Sequence, residues 1–506
     1  MTITGKIIRN VSFSWAYYFI QLAVGFFLMP FMVHRLGVEV YGLWILVFSF
    51  MAYTVFFEFG IRGSVIKYVS EFEAKKDFES LNKVVNTSWI IHSIMGLTVA
   101  LFFFVLSYFL SYFFKVSPFL LNDFKICFRI MGLSVGFALF FMIFAGILEG
   151  HKRTDIISII EAIFFIIQNL LIVFSVLKGY GIVSLAFIIF GVNIFRHLTR
   201  LILSFKIYPR LRLNIFDFNK KTLKLIFNYS FFLFILQGLL SFLNTLPNII
   251  LGISLGPISI TFYSIAARLI GYLQTILFTT SGVLVPFVSS FDALKDKERI
   301  RKSFILGSRY SYGIVLFLSL VLIVMGKPFL KLWMGEEFAY KSYNVLLIVT
   351  MPLVFSPSFF TIHALLKGLG RLKEITIFTM FQVLLSVILS IVFIKNLKLL
   401  GVALGFSIPY FLNYGIILPV LALRILGIRF NDYINNVFVK SMIPAAILFI
   451  ILIILKNSYY PSNYIVLISE ILFSGLVYLS IYFRWVLGNY ERNFYISKVK
   501  LCFKNT

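Results

Sequence analysis

Apolar runs of about twenty residues, separated by short polar or basic interruptions, recur along the whole chain, and a helix of that length crosses about 30 Å of hydrocarbon. About fourteen such runs fall near 11–33, 40–57, 84–114, 120–148, 156–177, 181–205, 225–251, 258–290, 304–325, 343–366, 375–394, 399–421, 437–455 and 463–483. The pattern predicts an all-α polytopic membrane protein of about 14 transmembrane helices.

A longer period, of about 218 residues, lies over the first. Gly150 and Arg153 in ILEGHKRTDIISII answer Gly368 and Arg371 in LLKGLGRLKEITIF, and Gly179 to Phe187 (GYGIVSLAF) answers Lys398 to Phe406 (KLLGVALGF). Pro30 to Trp44 is echoed from Pro247 onward: a hydrophobic helix ends after a proline, Leu-Gly follows, and a new helix opens near a tyrosine. Two six-helix bundles in parallel sense are therefore expected, at 1–215 and 216–425. Residues 426–506 add two helices and a tail without counterparts.

Composition removes the soluble alternatives. With 60% hydrophobic and 13% charged residues and a mean hydropathy of +0.97, a 506-residue chain cannot bury its apolar surface in a water-soluble core. The net charge of +26 would suggest nucleic acid in a soluble protein. Here Lys and Arg cluster between spans, at Arg62 to Lys83, Lys206 to Lys224 and Lys295 to Lys302, so they set orientation and meet anionic head groups. With a cytoplasmic N-terminus they outnumber the external ones about three to one, which places both termini in the cytoplasm. The first run lacks a small-residue cleavage site and reads as a retained helix. External connections are too short for a catalytic domain, and no Walker loop, nucleophile elbow, HExxH pair or metal-ligand spacing occurs. Cys127 and Cys502 offer no disulfide framework. A non-enzymatic carrier without a cofactor, apart from H+ or Na+ coupling, is the expectation.

Polar side chains within spans gather toward a bundle interior or a wet cavity. Span one carries Ser14, Tyr18, Gln21 and Gly25; span seven carries Gln237, Ser241, Asn244 and Asn248 with the same spacing; span eight carries Ser264, Arg268, Gly271 and Thr275 on one face. Such stripes serve equally for bonds across tightly packed helices. Arg268 lies about 15 Å from the helix start, where a charge costs about 2.5–3.5 kcal/mol on insertion scales. It either lines a cavity for an anionic lipid-linked substrate or pairs with a membrane acid, Glu161 or Glu470. Arg35 and Arg62 flank span two and either hand an anion across or anchor loops. Glu161 and Glu58 are the acids placed to couple an ion.

Several stretches together resemble the polysaccharide (O-antigen type) flippases of the multidrug, oligosaccharidyl-lipid and polysaccharide exporter superfamily. They are RLGVEVYGLWILVFSF (Arg35 to Phe50), FEFGIRGSVIKYVSEFEAKKD (Phe57 to Asp77), LGPISITFYSIAARL (Leu255 to Leu269), VLVPFVSSFDALKDKERIR (Val283 to Arg301), LWMGEEF (Leu332 to Phe338) and LKGLGRLKEI (Leu366 to Ile375). The resemblance covers almost the whole chain and rests on their order and spacing. It implies two bundles around a central cavity, and alternating access that moves an undecaprenyl-diphosphate-linked oligosaccharide between leaflets of the plasma membrane for O-antigen, capsule or exopolysaccharide synthesis. A polysaccharide polymerase and a chain-length regulator are implied as partners. The family's arginine after the YSIA-like element falls on Arg268, and a diphosphate of about two negative charges suits a cationic cavity. A peptidoglycan-precursor flippase, a cation-coupled multidrug exporter and a membrane glycan polymerase are the alternatives. The exporter is disfavoured by the lack of an acid in span one, and the polymerase by the short external loops.

Overall fold

The computed structural model describes residues 3–58, 60–214, 217–488, 491–493 and 497, with side chains described except at 3–12, 14, 224–233, 276, 279 and 280. In chain order the helices are α1 (Ile3–Leu36), α2 (Val38–Met51), α3 (Val55–Glu58), α4 (Ile61–Lys75), α5 (Phe78–Phe113), α6 (Pro118–Gly150), α7 (Thr154–Leu177), α8 (Ile182–Ile207), α9 (Lys220–Ser254) and α10 (Pro257–Gly282). There follow α11 (Leu284–Ala293), α12 (Lys297–Met334), α13 (Glu336–Val354), α14 (Phe359–Gly368), α15 (Leu372–Phe411), α16 (Leu418–Leu426), α17 (Phe430–Tyr433), α18 (Lys440–Ser458) and α19 (Tyr464–Trp485). Among the described residues there is no strand.

Eleven helical stretches are long and apolar enough to span a membrane, and α13 with α14, bent by 52°, makes a twelfth. One of the eleven, Leu372–Leu426, has 55 residues, more than twice what about 30 Å of hydrocarbon needs. It is broken at Lys398 (φ 48°, ψ −122°), and the chain doubles back there, since a Cβ on Gly401 or Gly405 would run into Phe393 or Ser390. Counted as two arms, and with the 26-residue α10 added, these give the fourteen spans expected of this multi-pass membrane protein.

The internal repeat is visible in the backbone. Among the described residues eleven have positive φ, and eight of them form four pairs separated by 218 or 219 positions: Gly37 and Gly256, Lys76 and Lys295, Lys152 and Gly370, Gly179 and Lys398. The caps repeat too, with Asp77 accepting from the Ser80 amide and Asp296 from the Arg299 amide, each at 3.0 Å. Each Asp satisfies one of the amides a helix start leaves without an intrahelical partner. Gly150 and Gly368 lie against Val69 and Val288, where an added Cβ would come to 2.6 and 2.7 Å.

The chain forms two compact units, Met1–Thr261 and Phe262–Thr506. In the first, α6 is the most buried helix, packed on α5, α8 and α4. Small residues permit this: Gly96 and Gly136 bring α5 and α6 backbones together, and Phe103 fills the space over Gly132. Helix α9, which opens the second repeat in sequence, packs within this first unit on α2, α4 and α5. In the second unit α12 is central, touching α13, α18 and α19. The last added helix, α19, is pinned to it by Tyr478 and Tyr482, which donate to the carbonyls of Gly313 (2.8 Å) and Arg309 (2.6 Å).

Candidate functional site

The charged interior of the first unit is built on α7 and α8. Helix α8 places Asn193, Arg196, His197 and Arg200 on one face, because residues three and four apart stack along a helix. Glu161 of α7 sits between the two guanidiniums: its Oε2 lies 3.1 Å from Arg196 Nη1, and its Oε1 contacts Arg200 Nη2. The three side chains are 16%, 20% and 11% exposed, in that order, so the pairing is largely shielded from solvent. Arg196 also donates to Asn193 Oδ1, and Asn193 Nδ2 donates to Ser134 Oγ of α6 at 2.7 Å. Arg200 Nη1 reaches His197 Nδ1 at 3.4 Å. On α1, which packs on α7, Gln21 Nε2 donates to the Tyr17 hydroxyl at 2.7 Å, and the Tyr17 ring meets Phe165 edge-on at 6.1 Å. Arg200, Asn193, Ser134 and Tyr17 escaped the reading by sequence. The signal that marks them is a pair of arginines at i and i+4 within one apolar span, which needs an acid from another helix.

The stripes divide. On α9, Ser241 donates to the Ala52 carbonyl at 2.8 Å and Asn248 to Ser49 Oγ at 2.9 Å, so these two are packing contacts with the α2 segment. Gln237 and Asn244, on the same helix, are exposed. On α10, Ser264 is buried, while Arg268 and Thr275 are exposed, with Thr275 donating to the Gly271 carbonyl at 2.8 Å. On α1, Tyr18 is half-buried and edge-on to Trp15 at 6.2 Å; the side chain of Ser14 lies outside the described residues.

Arg268 has no ion pair among the described residues, and its guanidinium stands 5.5 Å from the centroid of the Tyr272 ring. The acids weighed as its partners are elsewhere: Glu161 is held by Arg196 and Arg200, and Glu470 is buried on α19, which packs on α12 and α18. Both Glu470 oxygens lack a hydrogen-bond partner among the described residues. Arg62 bonds Glu149 at 2.7 Å, tying α4 to the end of α6, and Arg35 is exposed at the end of α1. Glu58 is half-buried at the end of α3 and makes no ion pair among the described residues.

The corresponding seam in the second unit is neutral. Asn413 Nδ2 donates to Gln382 Oε1 at 2.8 Å, and His363 Nε2 lies 3.3 Å from the Tyr414 hydroxyl. Asn413 and Tyr414 stand on a π-helical turn, Leu412–Ile417, between α15 and α16.

Residues 7–292 match the family described as polysaccharide biosynthesis protein, and residues 220–392 match the MatE family. A candidate O-antigen transporter of Shigella flexneri is 20% identical over 414 residues, which is 81% of this chain and 96% of that protein. In fold the chain is similar to the lipid II flippase MurJ in an inward closed conformation, with a TM-score of 0.74 and 17% identity over 93% of this chain and 98% of that one. It is also similar to a multidrug resistance MATE family transporter of the MOP superfamily in an inward-facing conformation, with a TM-score of 0.68 and 16% identity over 83% and 98% of the two chains.

Proposed function

The chain belongs to the polysaccharide biosynthesis protein family, and we propose that it is a flippase for an undecaprenyl-diphosphate-linked oligosaccharide. It carries the repeat unit of a surface polysaccharide from the cytoplasmic to the outer leaflet of the plasma membrane by alternating access, with both termini cytoplasmic. The bundles at 1–215 and 216–425 are the two repeats of the carrier, with α9 of the second packed in the first unit, and the helices after 426 stabilise the second. The observation that supports this reading most is Arg268, an exposed guanidinium in mid-span with no ion pair among the described residues. A charge so placed is tolerated beside water rather than acyl chains, and its sign suits a diphosphate. Exposed Thr275, Gln237 and Asn244 present hydrogen-bonding groups suited to a glycan, and the prenyl tail stays in lipid. Arg35 and Arg62 meet the diphosphate at the two ends of its path, Arg62 by exchange with Glu149. Glu58, without an ion pair among the described residues, couples a proton or sodium ion. A polymerase and a chain-length regulator take up the product.

Arg268→Ala is expected to lower surface glycan by about tenfold or more at an unchanged membrane level, and Arg268→Lys to restore part of it, because lysine keeps the charge but loses the bidentate fork. Unchanged glycan in the alanine variant overturns the reading. A peptidoglycan-precursor substrate is the second reading, favoured by the fold similarity to the lipid II flippase over 93% of the chain. Depletion separates the two: loss of surface glycan alone supports the first, and lysis of the cell supports the second.

A further inference from the structure

We infer that Arg196 and Arg200 form an exchangeable anion site, in which Glu161 is the resting occupant and a phosphate-bearing ligand takes its place. Two guanidiniums face one carboxylate, so the trio holds one surplus positive charge in surroundings where each side chain is at most a fifth exposed. The neighbouring Arg62–Glu149 pair is balanced and does not cancel it. Hydrogen bonding is incomplete as well: among the described residues, Nε of Arg196, Nε of Arg200 and Oε1 of Glu161 are buried without a hydrogen-bond partner. Buried donors are nearly always bonded, so two orphan N–H groups on the same pair of guanidiniums mark a site that its carboxylate fills only in part.

A phosphate group supplies what is missing. It offers three or more acceptor oxygens and up to two negative charges, and the planar fork of arginine takes phosphate as readily as carboxylate. Asn193, anchored by Ser134, keeps Arg196 from swinging away during the exchange. Without any anion, two like charges one helical turn apart on α8 would repel across a part-buried site, which is why a resident carboxylate is needed between ligands. Glu161 thus lowers affinity and speeds release. The inference deepens the flippase reading and rests on it only for the lipid that brings the phosphate.

The test uses the full-length protein in detergent micelles, with geranylgeranyl diphosphate as the lipid probe and inorganic pyrophosphate as the soluble one, binding being read from the shift in thermal unfolding. Glu161→Gln is expected to tighten binding about tenfold and to slow glycan export, Glu161→Asp to stay close to the parent, and Arg196→Gln and Arg200→Gln each to weaken binding about tenfold. In the unaltered protein, an apolar carbodiimide should label Glu161 faster when probe is bound, because the carboxylate has left its guanidiniums. Unchanged labelling, or a folded Glu161→Gln variant that binds no tighter, overturns the proposal. A lipid probe about ten times tighter than pyrophosphate identifies a lipid as the source, whereas equal affinities support the same exchange with a soluble phosphate. Loss of exchange while Arg268→Ala still blocks export would remove this site and leave the flippase reading. Intact exchange in cells whose glycan is indifferent to the protein would do the reverse.

Discussion

The two repeats turn alike and fill their interiors differently. Carried across at the spacing of the paired turns, Glu161 corresponds to Thr379, Arg196 to Gly415 and Arg200 to Pro419. Where the first half has an unbroken α8 with two guanidiniums, the second has a π-helical turn followed by a proline, and its polar contacts include the neutral Asn413–Gln382 and His363–Tyr414 pairs. Turn geometry is constrained by backbone sterics and by the short connections, so both copies retain it. A buried polar position is constrained only by the partners around it, so a whole network can be replaced by a different one. The contrast teaches that the fold resides in the repeat, and that the chemistry resides where the repeat is broken.

The sharpest way to break the contrast is to remove one charge. Glu161→Leu leaves two guanidiniums uncompensated and should lower stability by about 3–5 kcal/mol, read as a fall in the unfolding temperature of the purified protein. Thr379→Val at the corresponding neutral position should cost no more than about 1 kcal/mol. Similar losses at the two sites would mean that the ionic interior is no more demanding than the neutral one. The shared scaffold predicts the opposite behaviour at Gly150 and Gly368. An added methyl meets Val69 or Val288 close to the backbone, at 2.6 and 2.7 Å, so alanine at either site should cost about 1–3 kcal/mol and by nearly the same amount. The smallest effect belongs to the paired turn at Lys152 and Gly370, with φ of 60° and 69°. Lys152→Gly should gain about 1 kcal/mol and Gly370→Lys should lose about as much, both measured by thermal unfolding.

Much of the scaffold was legible in the sequence because its signals are local. Apolar run length gave the spans, including the two arms that meet at Lys398, and the Leu-Gly and Gly-containing turns gave the repeat. The site was less legible. Helical spacing places Gln237, Ser241, Asn244 and Asn248 on related faces, yet it does not say which of them bonds a neighbouring segment; Ser241 and Asn248 do, and Gln237 and Asn244 are exposed. The ionic interior was harder still, because Glu161 and its arginines are brought together only when α7 and α8 pack, and an acid and a base 35 positions apart carry no mark of belonging to each other.

The tight reversals at Lys152 and Lys398 have a mechanical consequence. Lys152 joins α6 to α7, and Lys398 joins the two arms of α15, with hardly any chain between them. Neither hairpin has slack to let one arm slide along the other, so each must travel as a stiff two-legged lever. Whatever motion this protein performs, its give has to come from joints other than these two hairpins.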